Sequence, residues 1–254
     1  TAACWRSHEI VDGMINGERV HPLPEIPESA VADIPREERA VVLQVDNLVR
    51  EFPLTKGALF KRRIGTVHAV NDVSFDIREG ETLAVVGESG CGKTTTLLAV
   101  MDLGREAQGG HIEVDGTDLA SIKGGRDERD LRRKMQVVFQ DPMGALNPRL
   151  TVHEIISEPL TAFGAGRAEA NARVAELMRT VGLDPAHSDR FPGAFSGGQR
   201  QRIGIARALA SHPKLVMLDE PVSALDVSIQ AGVINLLDEQ KAPPGRRELN
   251  LAHA

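Results

Sequence analysis

The chain has 254 residues, enough for one sizeable hydrophobic core or for one core with a small lobe. A hydrophobic content of 41% and a charged content of 26% are typical of globular proteins, and the net charge of −6 argues against nucleic acid or an anionic membrane surface as the main partner. No window approaches the roughly 18–20 consecutive apolar residues of a membrane-spanning helix.

The start of the chain differs in composition from the remainder. Four prolines stand between positions 22 and 35, among many acidic residues. Because this composition disfavours helices and central strands, residues 1–39 are predicted to form an extended tail or linker. Residues 40–254 are expected to form one domain.

Apolar runs within this domain predict an α/β core. Strands are predicted where the runs alternate or are continuous, over 41–45, 73–77, 83–86 and 215–218. Helices are predicted over 94–101, about 168–181 and about 228–239. Turn signals and helical texture over about 141–194 predict a helical subdomain inserted into the core.

A glycine-rich loop stands between the predicted strand at 83–86 and the helix that follows. It reads Gly87-Glu88-Ser89-Gly90-Cys91-Gly92-Lys93-Thr94. Its glycines let successive N–H groups point at phosphates, and the start of the helix adds positive partial charge. In such loops the lysine reaches the β- and γ-phosphates and the hydroxyl ligates Mg²⁺. A plain glycine turn is the alternative, but the flanking strand and helix favour a site for ATP and Mg²⁺.

Two carboxylates follow the predicted strand at 215–218. The carboxyl end of a buried parallel strand lies at the crevice where such sheets bind ligands. Asp219 is therefore predicted to hold Mg²⁺, directly or through water, and Glu220 to polarise the water that attacks the γ-phosphate. The alternative is that the acidic pair only caps the next helix.

A serine and two glycines precede an amphipathic helix just ahead of that strand. Ser196 is a good helix N-cap, and Gly197 and Gly198 leave backbone N–H groups open to an anion. A capped helix without a ligand is the alternative. The position directly before the strand that leads to Asp219 favours a functional role.

In order and spacing, these motifs resemble those of ATP-binding cassette (ABC) ATPases over about residues 44–240. The Walker A loop, Q-loop, signature, Walker B strand and D-loop correspond to 87–94, Gln140, 196–199, 215–219 and 223–226. Finer details resemble the ATP-binding subunits of oligopeptide and dipeptide transporters, at 138–142, 146–149 and 221–230.

The resemblance implies an α/β P-loop NTPase core with a helical subdomain. It implies that Glu220, Gln140 and Lys93 are catalytic, and that Thr94, Gln140 and Asp219 hold the metal. The nucleotide-binding residues that it implies are Phe52, Gly87, Glu88, Ser89, Gly90, Cys91, Gly92, Lys93, Thr94, Thr95, Ser196, Gly197, Gly198 and Gln199. Phe52 would stack on adenine, unless it is simply a core residue.

The same resemblance implies an ATPase that energises the import of di- and oligopeptides. Two ATPase subunits or domains would pair head to tail, with each ATP between the Walker A loop of one and the signature of the other. The helical lobe would dock on transmembrane permease subunits, and a peptide-binding protein would deliver peptides to those subunits. No nucleic acid is expected as a partner. The chain would then lie at the cytoplasmic face of the membrane, which suits a Cys91 kept reduced within the loop.

Both ends depart from the family pattern. Residues 241–254 show no apolar strand run, so the C-terminal strands are expected to be missing, with His253 a poor substitute for the family's switch histidine. The tail around Cys4 resembles the end of a preceding ATPase domain, which suggests the second half of a tandem ATPase. The alternatives are a truncated remnant that binds ATP without efficient turnover and a soluble ABC ATPase; a P-loop kinase has no use for the signature helix.

Overall fold

The computed structural model describes residues 33–56, 62–101, 109–139, 141–219 and 250–253. The strands in these ranges are β1 (Val41–Lys56), β2 (Arg62–Arg78), β3 (Thr82–Ala84), β4 (Gly109–Val114), β5 (Thr117–Asp118), β6 (Met135–Val138), β7 (Leu215–Leu218) and β8 (Asn250–His253). The helices are α1 (Lys93–Met101), α2 (Arg126–Lys134), α3 (Pro142–Ala145), α4 (Val152–Ala162), α5 (Arg167–Thr180) and α6 (Gly197–Leu209). None of these helices is long and apolar enough to cross a membrane.

Four strands form an antiparallel sheet in the order β2-β1-β4-β5. The strands predicted over 41–45 and 73–77 are confirmed within β1 and β2, where Leu43 pairs with Ile77 and Val45 with Phe75. Both strands extend beyond those apolar runs because the hairpin ladder continues to the pair Lys56–Arg62. Backbone pairing therefore lengthens the strands where side-chain patterning alone stops.

A parallel sheet with the order β3-β8-β7-β6 carries the predicted buried strands. The strand predicted over 83–86 is shorter than expected, since β3 ends at Ala84 and Val86 is 91% exposed in the loop that follows. The strand predicted over 215–218 is confirmed as β7, and all four of its residues are buried. Because parallel strands point the same way, their carboxyl ends meet along one edge of this sheet.

The final strand corrects one expectation, because residues 250–253 pair as a strand in a segment that shows no apolar strand run. β8 pairs in parallel with β3 on one side and with β7 on the other, and His253 lies opposite both Ala84 and Leu218. A slot between two parallel strands offers backbone donors and acceptors to any extended segment, so pairing there does not require an apolar run. For residues 250–253 the expectation was wrong because it considered side-chain hydrophobicity alone.

The helical lobe contains α3, α4 and α5 and packs on α6. Ile156 of α4, Met178 of α5 and Ile203 of α6 are each 0% exposed, and this core continues to Val216 and Leu218 of β7. The helix predicted over about 168–181 is confirmed as α5. A second core lies between the antiparallel sheet, α1 and the other face of β7.

The described end of the predicted tail is not wholly extended. Arg36–Glu38 forms a 3-10 turn, and the Arg36 guanidinium binds the carboxylates of Asp76 at 3.0 Å and Glu81 at 2.6 Å. The hydrogen bond from Arg36, supported by one from Arg78, lowers the pKa of Asp76, although partial burial of the carboxyl opposes the shift. The turn is therefore attached to the end of β2.

One acidic residue connects the two sheets. Asp115, directly after β4, binds Lys134 at 2.6 Å and Lys214 at 2.5 Å. Burial alone would raise the pKa of Asp115, but the hydrogen bonds and charges of the two lysines outweigh it, so the pKa is lowered. Because Lys134 ends α2 and Lys214 precedes β7, this cluster fixes the antiparallel sheet against the parallel one.

Several predictions fall outside the described residues. They concern the tail before residue 33, the Q-loop residue Gln140, the catalytic candidate Glu220, the D-loop at 223–226 and the helix over 228–239. These assignments stay predictions.

Candidate nucleotide site

The glycine-rich loop lies between β3 and α1, at the carboxyl edge of the parallel sheet. Gly90 and Gly92 have φ values of +84° and +100°, a region that residues with a Cβ rarely adopt. The Cys91 N–H donates to the Glu88 carbonyl at 3.2 Å, which closes the turn. The backbone conformation of the loop is therefore by itself sufficient reason for glycine at positions 90 and 92.

Gly92 also brings the loop into contact with β2. A Cβ at Gly92 would collide with the carbonyl oxygen of Ala69. The loop can therefore approach β2 only because position 92 lacks a side chain. Sequence reasoning missed Ala69, since a backbone carbonyl leaves no residue-type signal.

Lys93 is held against the phosphate loop itself. Its ammonium donates to the carbonyl oxygens of Gly87 at 3.1 Å and Glu88 at 3.2 Å. Phosphate oxygens carry full negative charge and make stronger, charge-assisted hydrogen bonds than neutral carbonyls. The side chain is thus already positioned where an anion in the loop could replace these partners.

The structure brings two predicted metal ligands together. The Thr94 hydroxyl, in the first turn of α1, donates to the Asp219 carboxylate at 2.9 Å. Asp219 follows β7, is only 7% exposed, and its N–H donates to the Val138 carbonyl at 3.0 Å. Two oxygen ligands of an octahedral Mg²⁺ with bonds of about 2.0–2.1 Å also lie about 2.9 Å apart, so this pair fits the ion.

The described residues contain no group of three or more His, Cys, Asp or Glu side chains that could hold a metal on its own. This agrees with Mg²⁺ sites in nucleotide-binding proteins, where one or two protein oxygens share the ion with phosphates and water. Thr94 and Asp219 are thus suited to a metal that arrives with a phosphate ligand.

Phe52 lies on the hairpin that borders the loop. It pairs with Val67, two residues before the Ala69 that contacts Gly92. Its side chain is 45% exposed, which excludes the alternative of a core phenylalanine. The Arg50 guanidinium lies 5.7 Å from the centre of the Phe52 ring. An exposed ring here suits stacking on a planar base, and the adenine contact stays a prediction.

The signature residues form a helix cap. Ser196 Oγ accepts from the Gln199 N–H at 3.3 Å, and Gln199 Oε1 accepts from the Ser196 N–H at 2.9 Å. Gly197 has open space where a Cβ would stand, whereas Gly198 is buried. Ser196 thus begins α6, on which the helical lobe packs, while the phosphate loop belongs to the sheet edge. The predicted cap is confirmed, and its contact with a nucleotide of a second subunit stays a prediction.

Residues 70–223, more than half of the chain, match the family described as ABC transporter. The oligopeptide transport ATP-binding protein OppD of Mycobacterium tuberculosis is 49% identical over 252 residues, which cover 99% of this chain and 40% of OppD. OppF of Bacillus subtilis, also named an oligopeptide transport ATP-binding protein, is 51% identical over 191 residues, covering 74% of this chain and 62% of OppF. The chain therefore spans less than two thirds of either relative.

The solved structures include similar folds. A dimeric post-hydrolysis state of the ATP-binding cassette MJ0796, bound to ADP and Pi, has a TM-score of 0.69 and 26% identity. The alignment covers 84% of this chain and 87% of the MJ0796 chain. Fold, ordered motifs and family match agree, and this chain belongs to the ABC transporter family.

Proposed function

We propose that this chain is the ATP-binding and ATP-hydrolysing part of an importer of di- and oligopeptides. The observation that carries the nucleotide part is the contact of Thr94 with Asp219 beside the phosphate loop. The solute class is supported by relatives that are named oligopeptide transport ATP-binding proteins.

In this proposal the loop from Gly87 to Thr94 holds the phosphates with its backbone N–H groups. Lys93 exchanges its bonds to the loop carbonyls for bonds to phosphate oxygens. Thr94 and Asp219 hold Mg²⁺, which would neutralise charge that develops on the phosphates. Phe52 supports the base.

Glu220 and Gln140 are proposed to act on the attacking water. Glu220 follows Asp219 directly, and Gln140 follows Phe139 at the end of β6, so both stand in sequence next to the edge that carries the phosphate loop. A carboxylate and an amide at this edge can orient water toward a γ-phosphate. Ser196, Gly197, Gly198 and Gln199 would contact the nucleotide bound to a second ATPase subunit or domain.

The assembly is proposed to include more than the ATPase pair. The MJ0796 cassette is dimeric, which supports the head-to-tail dimer. The helical lobe would dock on transmembrane permease subunits at the cytoplasmic face of the membrane, and a peptide-binding protein would deliver the solute. No nucleic acid is proposed as a partner, since the net charge is −6.

The test is co-expression with candidate permease subunits, followed by reconstitution in vesicles and ATPase assays with and without peptides. We expect co-purification and peptide-stimulated ATP hydrolysis. K93M should bind ATP at least about tenfold more weakly, whereas E220Q should retain binding and lose turnover. ATP binding without turnover in the wild-type chain would instead support the remnant, and capture of a soluble partner without any permease would support a soluble ABC ATPase.

A further inference from the structure

The segment that follows Gln140 packs into the helical lobe through Leu146. α3 begins at Pro142, and its last N–H, from Ala145, donates to the Asp141 carbonyl at 3.1 Å. Leu146, directly after α3, is 3% exposed and belongs to the core of the lobe. The Ala145 carbonyl stands at the end of this four-residue helix, where the helix itself supplies no N–H for it.

Arg207 of the signature helix supplies that donor. Its Nη1 lies 2.7 Å from the Ala145 carbonyl oxygen, although the two residues are 62 positions apart. A guanidinium at the C-terminal end of a helix also meets its negative partial charge. Arg207 thus forms a side-chain link between α6 and the segment after Gln140.

The surroundings of Arg207 make this contact costly to lose. Its neighbours Ala206 and Ala208 are buried, and Arg207 lines a cavity of about 350 Å³ together with Glu158 and Phe163. Burial lowers the pKa of Arg207, and the charge of Glu158 opposes that shift. The guanidinium nevertheless stays charged. A half-buried charge is tolerated only where hydrogen-bond acceptors or opposite charges offset the solvation that it loses.

α6 is itself a stiff element that connects two parts of the site. The Ser196 cap begins it, and Arg207 stands eleven residues further along, about 16 Å away at the rise of an α-helix. Ile203 and Ile205, between them, are 0% exposed. Because the helix moves as a rigid body, a displacement of Ser196 displaces Arg207 by nearly the same amount.

We propose that Arg207 is a positioning residue that ties residues 141–146, the segment that follows Gln140 in sequence, to the signature helix, so that this segment and Ser196 move together. This rests on the proposed function, in which Ser196 meets the nucleotide of a second subunit. Arrival of that nucleotide at Ser196 is then transmitted through α6 to the segment 141–146. Arg207 contacts neither nucleotide nor metal in this role.

The same helix offers a matched control. Arg202 donates to the Val181 carbonyl at 3.4 Å, so it also links α6 to a backbone carbonyl of the helical lobe. That carbonyl lies after α5 and not next to Gln140. R207M and R202M each replace an arginine of α6 by a long apolar side chain, and R207K retains a charge that can donate to Ala145.

The first measurement is amide hydrogen exchange of the full chain, with and without Mg-ATP. R207M should exchange at least about tenfold faster over 142–150 while α4 and α5 keep their protection. R202M should leave 142–150 unchanged, and R207K should fall between R207M and wild type. Unchanged exchange over 142–150 in R207M, or faster exchange throughout the lobe, would overturn the proposal.

The second measurement separates the proposal from the ATPase function. In R207M, kcat should fall at least about tenfold with KM for ATP within about twofold, because the phosphate loop is untouched. Normal kcat in R207M beside an active wild type would overturn the role of Arg207 alone. If the wild type shows no turnover, the proposed function fails, and the exchange experiment still decides whether Arg207 ties the two segments.

Discussion

The Thr94 hydroxyl and the Asp219 carboxylate lie 2.9 Å apart across 125 positions of sequence. Thr94 is placed by the first turn of α1 and Asp219 by the end of β7, so the contact exists only because both elements open onto one sheet edge. The buried carboxylate has one of its oxygens directed at a hydroxyl, which leaves a pair of oxygen ligands ready for a hard cation.

Replacing the hydroxyl of Thr94 by a methyl group tests this pair. T94V should lose the tightening of ATP binding by Mg²⁺, by about tenfold, because one of the two protein ligands is gone. The ATP dissociation constant, measured with Mg²⁺ and with EDTA, gives the result. T161V is the control, since that hydroxyl donates only to helix carbonyls of α4. Equal Mg²⁺ dependence in T94V and wild type would contradict the assignment.

The two glycines of the phosphate loop should respond differently to alanine. Both have positive φ, so each alanine costs about 1 kcal/mol of conformational strain. G92A also forces a Cβ into the Ala69 carbonyl, which adds about 1–3 kcal/mol, whereas Gly90 has nothing within 4 Å of a Cβ. The free energy of unfolding, measured in urea, should therefore be clearly lower for G92A than for G90A. Equal free energies of unfolding would mean that the loop does not rest on β2.

The caps of α4 and α6 allow stability and function to be separated. Thr151 and Ser196 each begin a helix with a reciprocal capping box, so T151A and S196A should each lose about 1 kcal/mol of stability. Only S196A should also reduce kcat, because Ser196 is proposed to meet a nucleotide on a second subunit. Thermal unfolding measures the loss of stability, and ATPase assays measure the change in kcat. A similar drop in kcat for T151A would attribute the effect to the lobe's stability.

The Asp115 cluster should make the free energy of unfolding depend on pH in the acidic range. The pKa of Asp115 is lowered in the folded chain, so its contribution is present above the unfolded value of about 3.9 and is lost as pH falls through the folded value. D115N should thus be less stable than wild type at neutral pH, and the difference should shrink below about pH 4. D33N, at an exposed aspartate, is the control. A difference that does not change with pH would contradict the ion pairs.

His253 can now be tested as part of the site. The register of β8 sets it opposite Leu218, the residue before Asp219, at the edge where the phosphate loop lies. H253A should lower kcat at least about tenfold if the imidazole takes part in hydrolysis as in the family pattern, with ATP affinity within about twofold. Single-turnover hydrolysis and nucleotide titration measure the two effects. Unchanged turnover would show that hydrolysis does not need this histidine.

Sequence reasoning succeeded where local chemistry decides the outcome. The glycines of the phosphate loop and the Ser196 cap could be predicted because a positive φ and an open helix N–H each require particular residue types. It failed at Asn250–His253, whose strand depends on two neighbours far away in sequence. It also gave Arg207 no role, since an arginine in an amphipathic helix is ordinary until its partner is known.

The sequence alone indicated the family and predicted the class of ligand, because ordered motifs constrain backbone conformation and side-chain chemistry at each position separately. Only the tertiary structure decided which of these positions meet. The contacts of Thr94 with Asp219, Gly92 with Ala69 and Arg207 with Ala145 all join segments whose separation in the chain carries no information about distance. Parallel strand order, close backbone approach and helix packing create them, and all three arise from the packing of segments that are distant in sequence.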